Sequence, residues 1–179
     1  MAINHEVLDV IYENHSSTIA RDLKLNLKRL LTESALSPEE ATITLLATAT
    51  SVGDARLAAH AREQLASVGL PDDQIREAAE SAAMMGMLNT YYRFKHMVGP
   101  RDGKEEEYRT AGLRMTALAR PALGKERFEM LAFAVSVLNG CEMCIRSHEQ
   151  ALRGHGLTVD KIHDLARIAA VVKGLSALA

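Results

Sequence analysis

Tryptophan is absent from this chain, and three Phe with four Tyr bring aromatics to only 4% of its 179 residues. The core must therefore be built from Ala, Leu, Val, Ile and Met. Charge of one sign is lacking too: the formal net charge is −2, and no basic stripe stands out. That balance removes the electrostatic footprint expected of a nucleic-acid partner. Lys24, Lys28 and Arg29 form one small basic group, read here as a solvated helix face rather than a binding patch. No apolar run approaches the roughly 18 residues needed to span a bilayer. The opening Met1-Ala2-Ile3-Asn4-His5 has neither the basic start nor the apolar stretch of a signal peptide. No membrane partner is expected, and the expected location is the cytoplasm, where stable structural disulfides are rare. There are only two cysteines, three positions apart, and in such a compartment they need a chemical explanation.

What is present is ordinary globular composition, 47% apolar and 25% charged, in a chain long enough to bury a core. We expect one all-helical domain over residues 1–179. Ser37-Pro38-Glu39-Glu40 reads as an N-cap, a proline at the first helical position and a capping-box glutamate. Ile43, Leu45, Leu46 and Ala47 continue that helix until Gly53-Asp54 interrupts it. Asp54 can cap the next, which carries Leu57, Ala58, Ala61 and Leu65 at helical spacing and stops at Gly69. Leu70-Pro71-Asp72 starts a third, long helix toward Tyr91 and Tyr92, and Val98 to Gly103 reads as a loop. No stretch alternates as a strand would, so the fold class is all-α.

The chain also matches itself. A shift of 87 residues, without gaps, places Leu36 on Leu123, Glu39 on Glu126, Ala47 on Ala134 and Gly53 on Gly140. It continues with Leu65 on Leu152, Gly69 on Gly156, Asp73 on Asp160 and Ile75 on Ile162. The matched positions are helix stops, turn residues and apolar seams, and they predict a duplicated helical unit over about 36–88 and 123–175. Under the same shift Cys141 falls on Asp54, Cys144 on Leu57, His148 on Ala61 and Glu129 on Thr42. The first half does without these four residues, so the scaffold does not require them. Chemistry is the remaining reason for their presence.

Asn139-Gly140 predicts a helix end, glycine tolerating the left-handed conformation after the last turn. Cys141 then lies at or near the start of the next helix, and 141, 144 and 148 share one face. The positive end of the helix favours a thiolate, and His148 stands one turn from Cys144 to take its proton. Such a pair can attack a peroxide and then close to a disulfide. Other readings stay open: two buried structural cysteines, or a Zn site with His148 and a fourth ligand from His155, Glu149 or Glu129. Covalent haem attachment is set aside, because Ile145 follows the second cysteine. Glu129 stands in an apolar run, about 16 Å before the corner, with His148 about 12 Å after it. It is either a proton acceptor and orienting group for that histidine or a solvated residue near a helix N-terminus. His155 and His163 read as surface or packing residues, and Met84, Met85 and Met87 as core or subunit-contact filler.

The pattern Glu129-x11-Cys141-x2-Cys144-x3-His148-Glu149, with Asn139-Gly140 before it, resembles the core motif of the AhpD alkylhydroperoxidases. Lys24 to Leu27, Met85 to Asn89 with Tyr92-Arg93, and Gly112 to Met115 also look like segments of that family, so the resemblance covers nearly the whole chain. It implies an all-helical fold of the carboxymuconolactone decarboxylase superfamily and a homo-oligomer, commonly a trimer. It further implies reduction of organic hydroperoxides with electrons from dihydrolipoamide on a lipoyl-bearing acyltransferase subunit, with no tightly bound cofactor and no metal. An AhpC-type peroxiredoxin is the implied electron-accepting partner. Cys144 would be the peroxidatic thiol that becomes the sulfenic acid, Cys141 the proton donor and resolving thiol, and His148 and Glu129 the proton relay. Some members carry a histidine just before the second cysteine; here Met143 stands there, which removes that imidazole from the relay. A disulfide-exchange electron carrier with little peroxidase activity needs the same dithiol and remains the alternative.

Overall fold

A computed structural model describes residues 3–6, 8–99, 108 and 110–178. Among these the chain forms eight α-helices, one short 3-10 turn at Thr116–Ala119, and no strand. The helices are α1 (Leu8–Ile11), α2 (Thr18–Thr32), α3 (Pro38–Val52), α4 (Ala55–Ser67), α5 (Asp72–Val98), α6 (Lys125–Asn139), α7 (Glu142–Gly154) and α8 (Val159–Leu175). The all-α expectation is met. The loop expected from Val98 starts one residue later, because α5 keeps Val98 in its last turn; Pro100 to Gly103 lie outside the described residues.

Local chemistry sets the helix starts. The Ser37 hydroxyl accepts from the Glu40 N–H, and the Glu40 carboxylate accepts from the Ser37 N–H at 2.7 Å, completing the capping box. Asp54 accepts from the N–H groups of Arg56 and Leu57 at the head of α4. Thr158 accepts from Lys161 at the head of α8.

Two helices form the centre. Every residue of α3 from Glu40 to Ala49 is buried, as are Phe128 and Met130 to Ser136 of α6. A helix that is apolar all round belongs inside. α3 packs on α4, α5, α6 and α8, and α6 packs on α3, α5, α7 and α8. Met85 is fully inside the core, with Met84 and Met87 partly buried against it. Polar ties fasten the two halves: Lys161 Nζ donates to both Glu40 carboxylate oxygens at 2.9 Å, and Asp164 accepts from the Ala35 N–H. Burial alone would raise the Glu40 carboxyl; the Lys161 ammonium and the Ser37 N–H hold it below its ordinary value.

Helices α3, α4 and α5 start at 38, 55 and 72, and α6, α7 and α8 start at 125, 142 and 159, the same interval of 87 each time. The corners agree as well: Gly53 ends α3 at φ 78°, ψ 16° and Gly140 ends α6 at φ 63°, ψ 35°. Two departures from this parallel matter. α5 runs to Val98, ten residues beyond Leu88, the position matching the end of α8. In addition, the N-terminal segment lies over the first corner. Tyr12 donates its hydroxyl to Asp54 at 2.5 Å, His5 and His60 are in contact ring nitrogen to ring nitrogen at 3.0 Å, and Asn4 donates its N–H to Gln64. The basic group of α2 serves this segment too. Lys24 donates to the carbonyls of Tyr12 and His15, and Lys28 pairs with Asp9 at 2.7 Å.

Candidate active site

The α6–α7 corner carries the reactive set. Cys141 is the N-cap of α7 at φ −89°, ψ 92°, nearly the backbone of Asp54 at the first corner, φ −80°, ψ 91°. Its N–H donates to the Ser136 carbonyl, as the Asp54 N–H does to Ala49. Cys144 follows in the first turn. The two sulfurs are paired as a disulfide, with the Cα atoms 5.3 Å apart. Both residues are buried, Cys141 at 1% exposure and Cys144 at 7%.

α6 and α7 fold back on each other at Gly140 and bring Glu129 to His148. The Glu129 carboxylate lies 2.6 Å from His148 Nδ1, with no intervening water needed. With Nδ1–H donating to the carboxylate, Nε2 is left as the proton-accepting nitrogen. Glu129 is thus in direct contact with His148 and only partly exposed. His155 and His163 are both exposed. Among the described residues no group of three or more His, Cys, Asp or Glu is placed to hold a metal ion.

A cleft of about 150 Å³ opens against the corner, lined by Tyr92, Arg93, His96 and Met97 of α5 together with Cys141 and Met143. The α5 residues all lie in the ten-residue extension past Leu88. Met97 is 77% exposed and Met143 is also exposed, so two apolar side chains stand at the cleft beside Arg93, His96 and Glu142. Among the described residues the lining includes Cys141 and not Cys144.

The sequence assigned no bonding role to several polar residues here. Asn89 Nδ2 donates to Ser136 Oγ at 2.8 Å, Asn139 Nδ2 donates to Asn89 Oδ1 at 3.0 Å, and Arg93 Nη1 donates to the Asn139 carbonyl at 2.7 Å. The 87-residue shift held the signal for two of them, since Ser136 and Asn139 fall on Ala49 and Val52.

Fold and corner together define an all-α protein with one dithiol–disulfide centre backed by a carboxylate–imidazole couple. Residues 106–179, the half with that centre, match the carboxymuconolactone decarboxylase family. The chain is 44% identical over 153 residues to the alkyl hydroperoxide reductase AhpD of Anaeromyxobacter dehalogenans, covering 86% of this chain and 80% of that protein. It is 41% identical over 168 residues to the AhpD of Maricaulis maris, covering 93% and 94%. With the AhpD of Mycobacteroides abscessus it shares 37% over 157 residues, covering 88% and 87%. The chain belongs to the AhpD family.

Proposed function

We propose that this protein reduces organic hydroperoxides by cycling Cys141 and Cys144 between dithiol and disulfide. The observation that carries the reading is the pairing of the two sulfurs on the same corner as the Glu129–His148 couple. His148 takes the proton of Cys144, and Glu129 holds the imidazole in the accepting tautomer. The Cys144 thiolate attacks the terminal peroxide oxygen. The O–O bond breaks, the alkoxide leaves as the alcohol with a proton from Cys141, and Cys144 becomes a sulfenic acid. The Cys141 thiolate then attacks the Cys144 sulfur, the S–O bond breaks, the leaving hydroxide takes the proton held on His148 to become water, and the disulfide forms.

Two electrons from a dithiol restore the pair. Following the family resemblance, that dithiol is dihydrolipoamide on a lipoyl-bearing acyltransferase subunit, and the reduced pair also reduces an AhpC-type peroxiredoxin. The same resemblance makes the working form a homo-oligomer, commonly a trimer, which sizing in solution reads directly. Peroxide consumption by purified protein with dihydrolipoamide tests the reading. Turnover of a small alkyl hydroperoxide without a second protein supports it. Turnover only when a peroxiredoxin is added identifies a disulfide-exchange carrier instead.

A further inference from the structure

Nothing in the turn itself explains why the α6–α7 corner is held by polar side chains. Asn89 and Arg93 lie one turn apart on α5 and reach the segment 136–141 at three points: the Ser136 hydroxyl, the Asn139 amide and the Asn139 carbonyl. The Ser136 carbonyl in turn accepts from the Cys141 N–H. Asn89 and Ser136 are fully buried. Burying amides and hydroxyls gains little over apolar groups even when every hydrogen bond is made.

The first corner provides an internal control. It takes the same glycine-ended geometry with Ala49 and Val52 where the second has Ser136 and Asn139. Ala49 and Val52 offer no polar side chain, so the scaffold turns this corner without the side-chain ties that Ser136 and Asn139 make, its polar contact coming instead from Tyr12 to Asp54. The ties at 136 and 139 belong to what the second corner carries. Arg93 and Cys141 both line the same small cleft. A guanidinium keeps its charge throughout the working pH range, and a cation near a thiol favours the thiolate.

We propose that Arg93 is a positioning residue for Cys141, held by the Asn139 carbonyl and the Asn89 frame so that its charge stabilises the Cys141 thiolate. In the cycle this helps Cys141 release its proton to the departing alkoxide and then act as the resolving nucleophile. The other charged or titratable groups lining the cleft are Tyr92 and His96 on α5 and Glu142 on α7. Glu142 opposes the effect, but its carboxylate is taken up by Arg146 at 2.7 Å.

The inference rests on the dithiol reading only for what the thiolate is used for. Its test is therefore made in a protein that cannot turn over. In a Cys144→Ser background Cys141 is the sole thiol, and its alkylation rate against pH gives its titration midpoint. Arg93→Met should raise that midpoint by about one pH unit or more, the usual effect of removing a nearby opposite charge. Arg93→Lys, which keeps the charge, should restore most of the shift. An unchanged midpoint in Arg93→Met overturns the proposal, and so does an equal shift in Arg93→Met and Arg93→Lys. A wild-type protein inactive toward peroxides would defeat the proposed function and leave this measurement readable.

Discussion

Replacing Cys141 by aspartate copies onto the second corner the residue that the first corner already carries. At the first corner the Asp54 carboxylate accepts from two amides, at 3.1 and 3.0 Å, and from the Tyr12 hydroxyl. The equivalent amides of α7 belong to Met143 and Cys144, and the Cys141 side chain caps neither of them. The backbones of the two N-caps agree within about ten degrees in both angles. An aspartate N-cap is worth about 1 kcal/mol over alanine, with several tenths more from a negative charge at a helix N-terminus. Against this stands the cost of a carboxylate at a nearly closed position, partly offset by Arg93 in place of Tyr12. We expect Cys141→Asp to be more stable than Cys141→Ala by about 1 kcal/mol at pH 7, or about 2–4 °C in melting temperature for a chain of this size. Neither variant can form the disulfide, so redox state does not enter the comparison. Urea unfolding at pH 7 measures the difference, and it should vanish near pH 3 as the carboxylate is protonated. If aspartate is no better than alanine, the amides at this corner do not hold an anion. The thiolate at Cys141 would then have no support from the helix end.

Oxidised and reduced protein should differ by two alkylatable thiols on mass measurement; two free thiols after peroxide treatment of native protein would rule out the dithiol cycle. His148→Phe should slow peroxide reduction by about 10²–10⁴-fold, the usual cost of losing a positioned base. Glu129→Gln should slow it less and shift the pH dependence of Cys144 alkylation, and pH–rate curves superimposable on wild type in both variants would mean there is no relay. The N-terminal segment gives a stability test. Burial, with the neighbouring His60, lowers the His5 imidazole to about 4, and burial lowers His60 as well. A neutral buried histidine stabilises fully above its unfolded value near 6.5, and that contribution is lost as pH falls toward the folded value. Protonating His5 over this range therefore costs the folded state stability that the unfolded chain does not lose. Unfolding free energy should therefore fall between pH 6.5 and 4, and His5→Phe should flatten the fall.

The helix starts were legible because their signals are local: Ser37 with Glu40, Asp54, and Pro71 followed by Asp72 all act within one turn. The reactive corner was legible because subtracting one half of the chain from the other leaves Cys141, Cys144, His148 and Glu129. Its direct 2.6 Å contact was only bounded from helix rise, since distance along two helices does not fix their rotation. The ties from Asn89 and Arg93 span 46 to 50 residues. A single asparagine or arginine on a long helix carries no local mark of its partner. His5 and His60 were hidden in the same way, 55 residues apart.

The cysteine bridge closes a loop of only three residue steps, from the N-cap of α7 into its first turn. In the chain-entropy picture so small a ring restricts the unfolded chain far less than a long-range bridge does. The core of α3 and α6 and the cross-half ties through Glu40 and Asp164 involve neither sulfur. The cysteine pair and the packing that holds the fold thus occupy different parts of one small chain. The proposed opening and closing of the bridge would leave the residues of that packing untouched.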